Sequence, residues 1–159
     1  MSGTGADPSV PRSWVALVRC LDQPGALMAL ASVFAERGIN FTSLATGALD
    51  GRPGAIALTF DATERQCRLL RRVVERLNVV RALTLRPFED PGARAAGVVR
   101  MPPGVAFRPP RGLDVVWSGD SAADQPVLVE GTLAEVAAVA AAAREAGALT
   151  IGTVISEVR

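Results

Sequence analysis

Two short runs hold the residues best suited to grip a small polar molecule: Leu21-Asp22-Gln23-Pro24-Gly25-Ala26-Leu27 and Gly38-Ile39-Asn40. The first reads as a passage from strand to helix, and the second as the exit from that helix. Pro24 and Gly25 make a tight turn, which leaves the backbone N–H groups of Gly25, Ala26 and Leu27 at a helix N-terminus. Such donors have no partner inside the helix, and the helix dipole adds partial positive charge beside them. A carboxylate suits that place. Gly25 has no side chain to keep it away. Asp22 or Asn40 would meet an ammonium group. A plainer reading stays open here, in which Asp22 only caps the helix and Gly25 only makes the turn.

Composition narrows the chemistry. The chain has 159 residues, enough for one domain or two small ones. A formal charge of +1 speaks against a general nucleic-acid or membrane-surface protein. The sequence contains no His, no Tyr and no Lys, so every basic side chain is Arg. The usual general base, the commonest metal ligand and a Schiff-base amine are therefore missing. Cys20 and Cys67 form no metal or redox motif and read as two free thiols. No cofactor and no metal are expected. No apolar run reaches the roughly 20 residues of a membrane span, and the start has no signal-peptide pattern, so a cytoplasmic protein is the expectation.

The elements follow from periodicity. Residues 1–12, with Pro8 and Pro11, read as disordered. Ser13 to Leu21 reads as a strand with apolar groups on both faces, which fits a central position. Gly25 to Arg37 reads as a helix with Leu27, Leu30, Ala31, Phe34 and Ala35 on one face and Gly38 as its C′ residue. Ile39 to Thr46 and Ala55 to Phe60 read as a hairpin around the turn signal Asp50-Gly51-Arg52-Pro53-Gly54. Asp61 or Thr63 caps a second helix to about Leu77, with Cys67, Leu70, Val74 and Leu77 as its apolar stripe. Its Arg65, Arg68, Arg71, Arg72 and Arg76 read as a solvated face. Val79 to Arg86 is a last strand. The order β-α-β-β-α-β over residues 13–86 predicts an α+β, ferredoxin-like unit.

The loop Asp22-Gln23-Pro24-Gly25-Ala26-Leu27, followed by Arg37-Gly38-Ile39-Asn40, resembles the ACT domain, a small regulatory amino-acid-binding module. Within that family the stretch is most similar to the amino-terminal domain of the acetolactate synthase small subunit. The resemblance implies a homodimer with an amino acid at the interface. Its ligand contacts carry over to Asp22, Gln23, Gly25, Ala26, Leu27, Ile39 and Asn40, with Asn40 reaching across the interface.

Residues 87–110 hold six prolines and read as a linker, with a short strand allowed at Gly97 to Met101. Residues 111–159 read as a smaller ββαβ region. Its parts are strands at Leu113 to Trp117 and Val127 to Glu130, a helix capped by Thr132 with Leu133, Val136, Ala137 and Ala140 inside, and a strand from Leu149 to Val158. Three functions stay open. The first is a regulatory subunit that binds valine, leucine or isoleucine and modulates a large, thiamine-diphosphate-dependent acetolactate synthase subunit. The second is a stand-alone amino-acid sensor or oligomerisation module with another partner. The third is an enzyme using Asp22, Asp50 or Glu130, which no spacing joins into a pair.

Overall fold

A computed structural model describes residues 7–49 and 52–157. The chain divides into two compact units, with the break between Phe88 and Glu89. The first unit runs β1 (Arg12–Cys20), α1 (Ala26–Glu36), β2 (Phe41–Leu49), β3 (Arg52–Ala62), α2 (Glu64–Val74) and β4 (Val80–Pro87). Its sheet order is β2-β3-β1-β4, antiparallel throughout, so β1 is central as its two-sided apolar pattern predicts. This is the ferredoxin-like arrangement.

The core lies between one sheet face and the two helices. Trp14, Ala16, Val18 and Cys20 of β1 meet Leu30, Val33 and Phe34 of α1 and Cys67, Leu70 and Val74 of α2. The buried stripe of α1 is Ala26, Leu30, Val33 and Phe34, rotated from the expected Leu27-Leu30-Ala31-Phe34-Ala35 face. Leu27 is 39% exposed as a result. A left-handed Gly38 closes the helix as predicted, with Gly38 N–H donating to the Ala35 carbonyl and Ile39 N–H to that of Phe34. Thr63 and Gln66 form a capping box at the start of α2. A bulge at Arg19/Cys20 shifts the register along β4, so Val80, Leu83 and Leu85 all pack on the core.

Several boundaries are corrected. Residues 1–6 lie outside the described residues, but 7–12 are structured: Asp7 accepts from the Ser9 N–H, and Arg12 opens β1. Arg12 sits 4.4 Å over the Trp14 ring and 2.8 Å from Glu64, contacts that a disordered arm would lack. Asp50 and Gly51 lie outside the described residues, whereas Arg52, Pro53 and Gly54, expected in the turn, belong to β3. The second helix ends at Val74 rather than Leu77.

The largest correction concerns the expected 87–110 linker. β5 (Ala93–Arg100) runs through it and lies centrally in a second sheet, with β6 (Val116–Ser118), β7 (Val127–Thr132) and β8 (Thr150–Glu157) in the order β6-β7-β5-β8. Ala93, Ala95, Gly97 and Val99 alternate inward, a period-2 pattern that small residues hide. The helix α3 (Leu133–Glu145) buries Leu133, Val136, Val139, Ala140 and Ala143. This sheet repeats the strand permutation of the first unit without its first helix. Pro102, Pro103, Pro109 and Pro110 bar a helix from the first crossover. Instead the segment is pinned by Phe107 N–H to Ser121 Oγ at 2.6 Å and Gly104 N–H to Asp124 Oδ1 at 3.1 Å.

Both cysteines are buried and free. Burial pushes the Cys67 thiol up to about 12, from an ordinary value of 9.0. The folded state keeps its proton where the unfolded chain loses it. The contribution to stability is therefore complete below the ordinary value and falls as pH rises from there toward 12. A thiol reagent at pH 8 is expected to leave Cys67 unlabelled in the folded chain and to label it in denaturant, read by mass spectrometry. Fast labelling of the native protein would contradict this burial.

Candidate functional site

The loop from Leu21 to Gly25 is held by the backbone. Leu21 N–H donates to the Val79 carbonyl at 2.7 Å, Gln23 N–H to that of Leu21 at 2.9 Å, and Ala26 N–H to that of Gln23 at 3.3 Å. Gly25 is the N-cap of α1 and is left-handed, with φ at 85°. No side chain caps this helix. Among the described residues the N–H groups of Leu27 and Met28 have no protein acceptor, while Ala29 N–H begins the helical ladder on the Gly25 carbonyl. The reading of Asp22 as a mere cap is thereby removed. Its side chain is exposed and makes no cap bond.

This loop forms one wall of an open hollow of about 370 Å³. Asp22, Gln23, Ala26 and Leu27 line it from the loop and α1. The opposite wall is Thr46 and Gly47 of β2 with Pro53, Gly54 and Ala55 of β3. The walls meet because β1 pairs antiparallel with β3, Arg19 opposite Ala55, so the end of β1 and the start of β3 share one end of the sheet. Gly54 makes this possible. A Cβ there would overlap the Cys20 carbonyl oxygen and sit 3.4 Å from the Asp22 nitrogen. Gly25 faces open space, with nothing within 4 Å of the point where a methyl group would stand.

The expected site residues therefore separate. Asp22, Gln23, Ala26 and Leu27 come together around the hollow, with Gly25 at the turn that opens it. Of the three N–H groups expected to be free, that of Ala26 is taken by Gln23, and Met28 supplies another. Ile39 and Asn40 lie at the far end of α1, whose 11 residues span about 16 Å. Ile39 is a buried core residue, and Asn40 is exposed. Neither lines the hollow within one chain.

Sequence reasoning missed Thr46, Gly47, Pro53, Gly54 and Ala55. The hairpin pattern shows small residues near its tip, but only the register of β1 with β3 brings them beside the loop. An uncapped N-terminus beside an exposed carboxylate offers donors and an acceptor at once, which matches a zwitterion. Among the described residues no group of three His, Cys, Asp or Glu side chains is placed to hold a metal, and no helix is long and apolar enough to cross a membrane.

No protein-family model matches the sequence, and no curated protein matches it either. Solved structures do. The acetolactate synthase small subunit from Thermotoga maritima superposes with a TM-score of 0.60 at 17% identity, over 93% of this chain and 98% of that one. The regulatory subunit of aspartate kinase from Thermus thermophilus, in its ligand-free form, gives 0.44 at 19% identity, over 88% and 94%. The first likeness extends over both units and shows the fold, in agreement with the resemblance carried by the Asp22 to Leu27 loop.

Proposed function

We propose that this chain is a regulatory protein that binds an amino acid at the hollow beside α1 and thereby biases a catalytic partner. The observation that carries this reading is the uncapped, glycine-turned start of α1, opening with the Asp22 carboxylate into one hollow. The N–H groups of Leu27 and Met28 take the ligand carboxylate, Asp22 takes the ammonium, and the apolar flank of Leu27 takes the side chain. Valine, leucine or isoleucine suits such a flank. The fold shared with the acetolactate synthase small subunit supports a homodimer and a large acetolactate synthase subunit as partner, in the cytoplasm. In such a dimer Asn40 of one copy completes the site of the other. Regulation then follows from unequal affinity of the amino acid for two arrangements of the assembly. No step in this role needs a catalytic side chain.

The test is thermal unfolding with each amino acid in turn. Ligand at 100 times Kd adds about 2.7 kcal/mol, a rise of several degrees for units of this size. A shift confined to valine, leucine or isoleucine is the expected result. Gly25→Val is expected to abolish the shift, because its side chain fills the space in front of the helix N-terminus, and to lower the ligand-free melting temperature, because a β-branched residue is strained at a φ of 85°. A shift of the same size in that variant would move the ligand elsewhere. No shift with any amino acid would leave the oligomerisation module, the second reading, in its place.

A further inference from the structure

A second, smaller hollow of about 180 Å³ lies between α2 and the β4 side of the first sheet. Trp14, Cys67 and Leu85 form its floor, and Glu64, Arg68 and Arg71 its rim. Strand register and helical spacing bring them together. Trp14 lies opposite Pro87 and Ala16 opposite Leu85, so Trp14 and Leu85 are diagonal neighbours on the core face of the sheet. Glu64, Cys67, Arg68 and Arg71 recur at i, i+3, i+4 and i+7 along α2, which places them on one side of that helix.

The floor offers no polar group to a ligand. Trp14 is buried, and its indole Nε1–H already donates to the Ala62 carbonyl at 2.9 Å. Cys67 is buried too, and that burial keeps its thiol protonated at neutral pH. The rim carries two cations and one anion. Arg68 stands 3.9 Å from Glu64, and Arg71 stands 3.9 Å from Glu75. Both separations exceed a hydrogen bond, so each guanidinium keeps N–H donors for another acceptor. Glu64 is engaged, because Arg12 holds it at 2.8 Å. A ligand ammonium therefore meets no unengaged carboxylate at this rim, in contrast to the hollow beside Asp22. Drug-sized sites span about 300–1,000 Å³, so this one admits a single ring or a short branched chain.

We propose that this hollow is a second ligand site, which takes a small carboxylic acid with an apolar body and no amino group. The body rests on Trp14 and Leu85, and the carboxylate meets Arg68 and Arg71. The planar fork of a guanidinium matches a carboxylate in both geometry and charge. None of the six lining residues belongs to the hollow beside α1, so the proposal stands or falls apart from the amino-acid reading.

The emission of Trp14 reads occupancy directly. The chain has two tryptophans, and Trp117, 40% exposed, is the other. In full-length Trp117→Phe, titration with cyclohexanecarboxylate is expected to change Trp14 emission saturably. Cyclohexanecarboxamide lacks the charge, and 1-aminocyclohexanecarboxylate adds an ammonium. Each is expected to bind at least about tenfold more weakly. Arg68→Gln combined with Arg71→Gln is expected to weaken the acid by a similar factor. Arg72→Gln, on the same helix but outside the hollow, is expected to leave it unchanged. All three arginines are exposed, so these variants are expected to fold. No saturable change with the acid would overturn the proposal. So would equal binding of the amide or the amino acid, or an unchanged affinity in the double variant. An equal loss in Arg72→Gln would overturn it as well, by reducing the contact to general attraction toward the arginines of α2.

Discussion

Gly54→Ala is expected to cost about 3 kcal/mol of stability and to destroy the amino-acid binding proposed for the hollow, although no ligand atom need touch Gly54. Two causes combine. The residue is left-handed, with φ at 87°, which disfavours any side chain by about 1–2 kcal/mol. The added methyl also overlaps the Cys20 carbonyl oxygen, which is backbone and has no other rotamer to take. Relief requires β3 to move away from the end of β1, and that opens the wall between Asp22 and Ala55. Gly25→Ala is the matched control. Its φ is 85°, almost the same, but nothing lies within 4 Å of the new atom. It is expected to cost only the backbone share, about 1–2 kcal/mol. Urea unfolding of both variants separates the two causes. Equal costs would mean that the close approach of β1 to Gly54 contributes nothing.

Phe34→Ala is expected to be more damaging still, at about 3–5 kcal/mol. Phe34 is 1% exposed, with its ring centroid 4.8 Å from that of Phe41 and 5.1 Å from that of Phe60. The second pair is edge-on, at 83°. Each such pair adds about 0.5–1.5 kcal/mol beyond burial. Truncation removes both pairs and leaves a cavity between α1, β2 and β3, which bound the hollow at their other ends. A fall in melting temperature of ten degrees or more is expected, from about 4–8 °C per kcal/mol in a unit of this size. A fall no larger than that of an exposed substitution such as Arg65→Ala would mean that α1 packs by a different face.

The first unit was legible because its signals are local and agree with one another. Gly38 ends a helix, Thr63 with Gln66 begins one, and Trp14, Val15, Leu17 and Val18 mark a two-sided strand. Those features follow from backbone geometry within a few residues. The face of α1 was misjudged because Leu27 and Leu30 are alike in sequence. Only packing decides which of them points inward, and Ala26, though small, takes the buried place. The strand Ala93–Arg100 was hidden for a related reason. Ala and Gly carry little β signal, and prolines on either side suggested a linker. Pairing with β7 and β8 supplies the stability that propensity does not.

By itself, the sequence determined the order of elements over residues 13–86, the ferredoxin-like class, and the loop from Asp22 to Leu27 as the place to look. It did so because turns, caps and periodicity act over short distances. Tertiary structure alone decided the opposite wall of the hollow at Thr46, Gly47 and Gly54. It also decided the smaller hollow at Trp14 and Leu85. Each of these depends on strand register, and register sets which distant residues become neighbours.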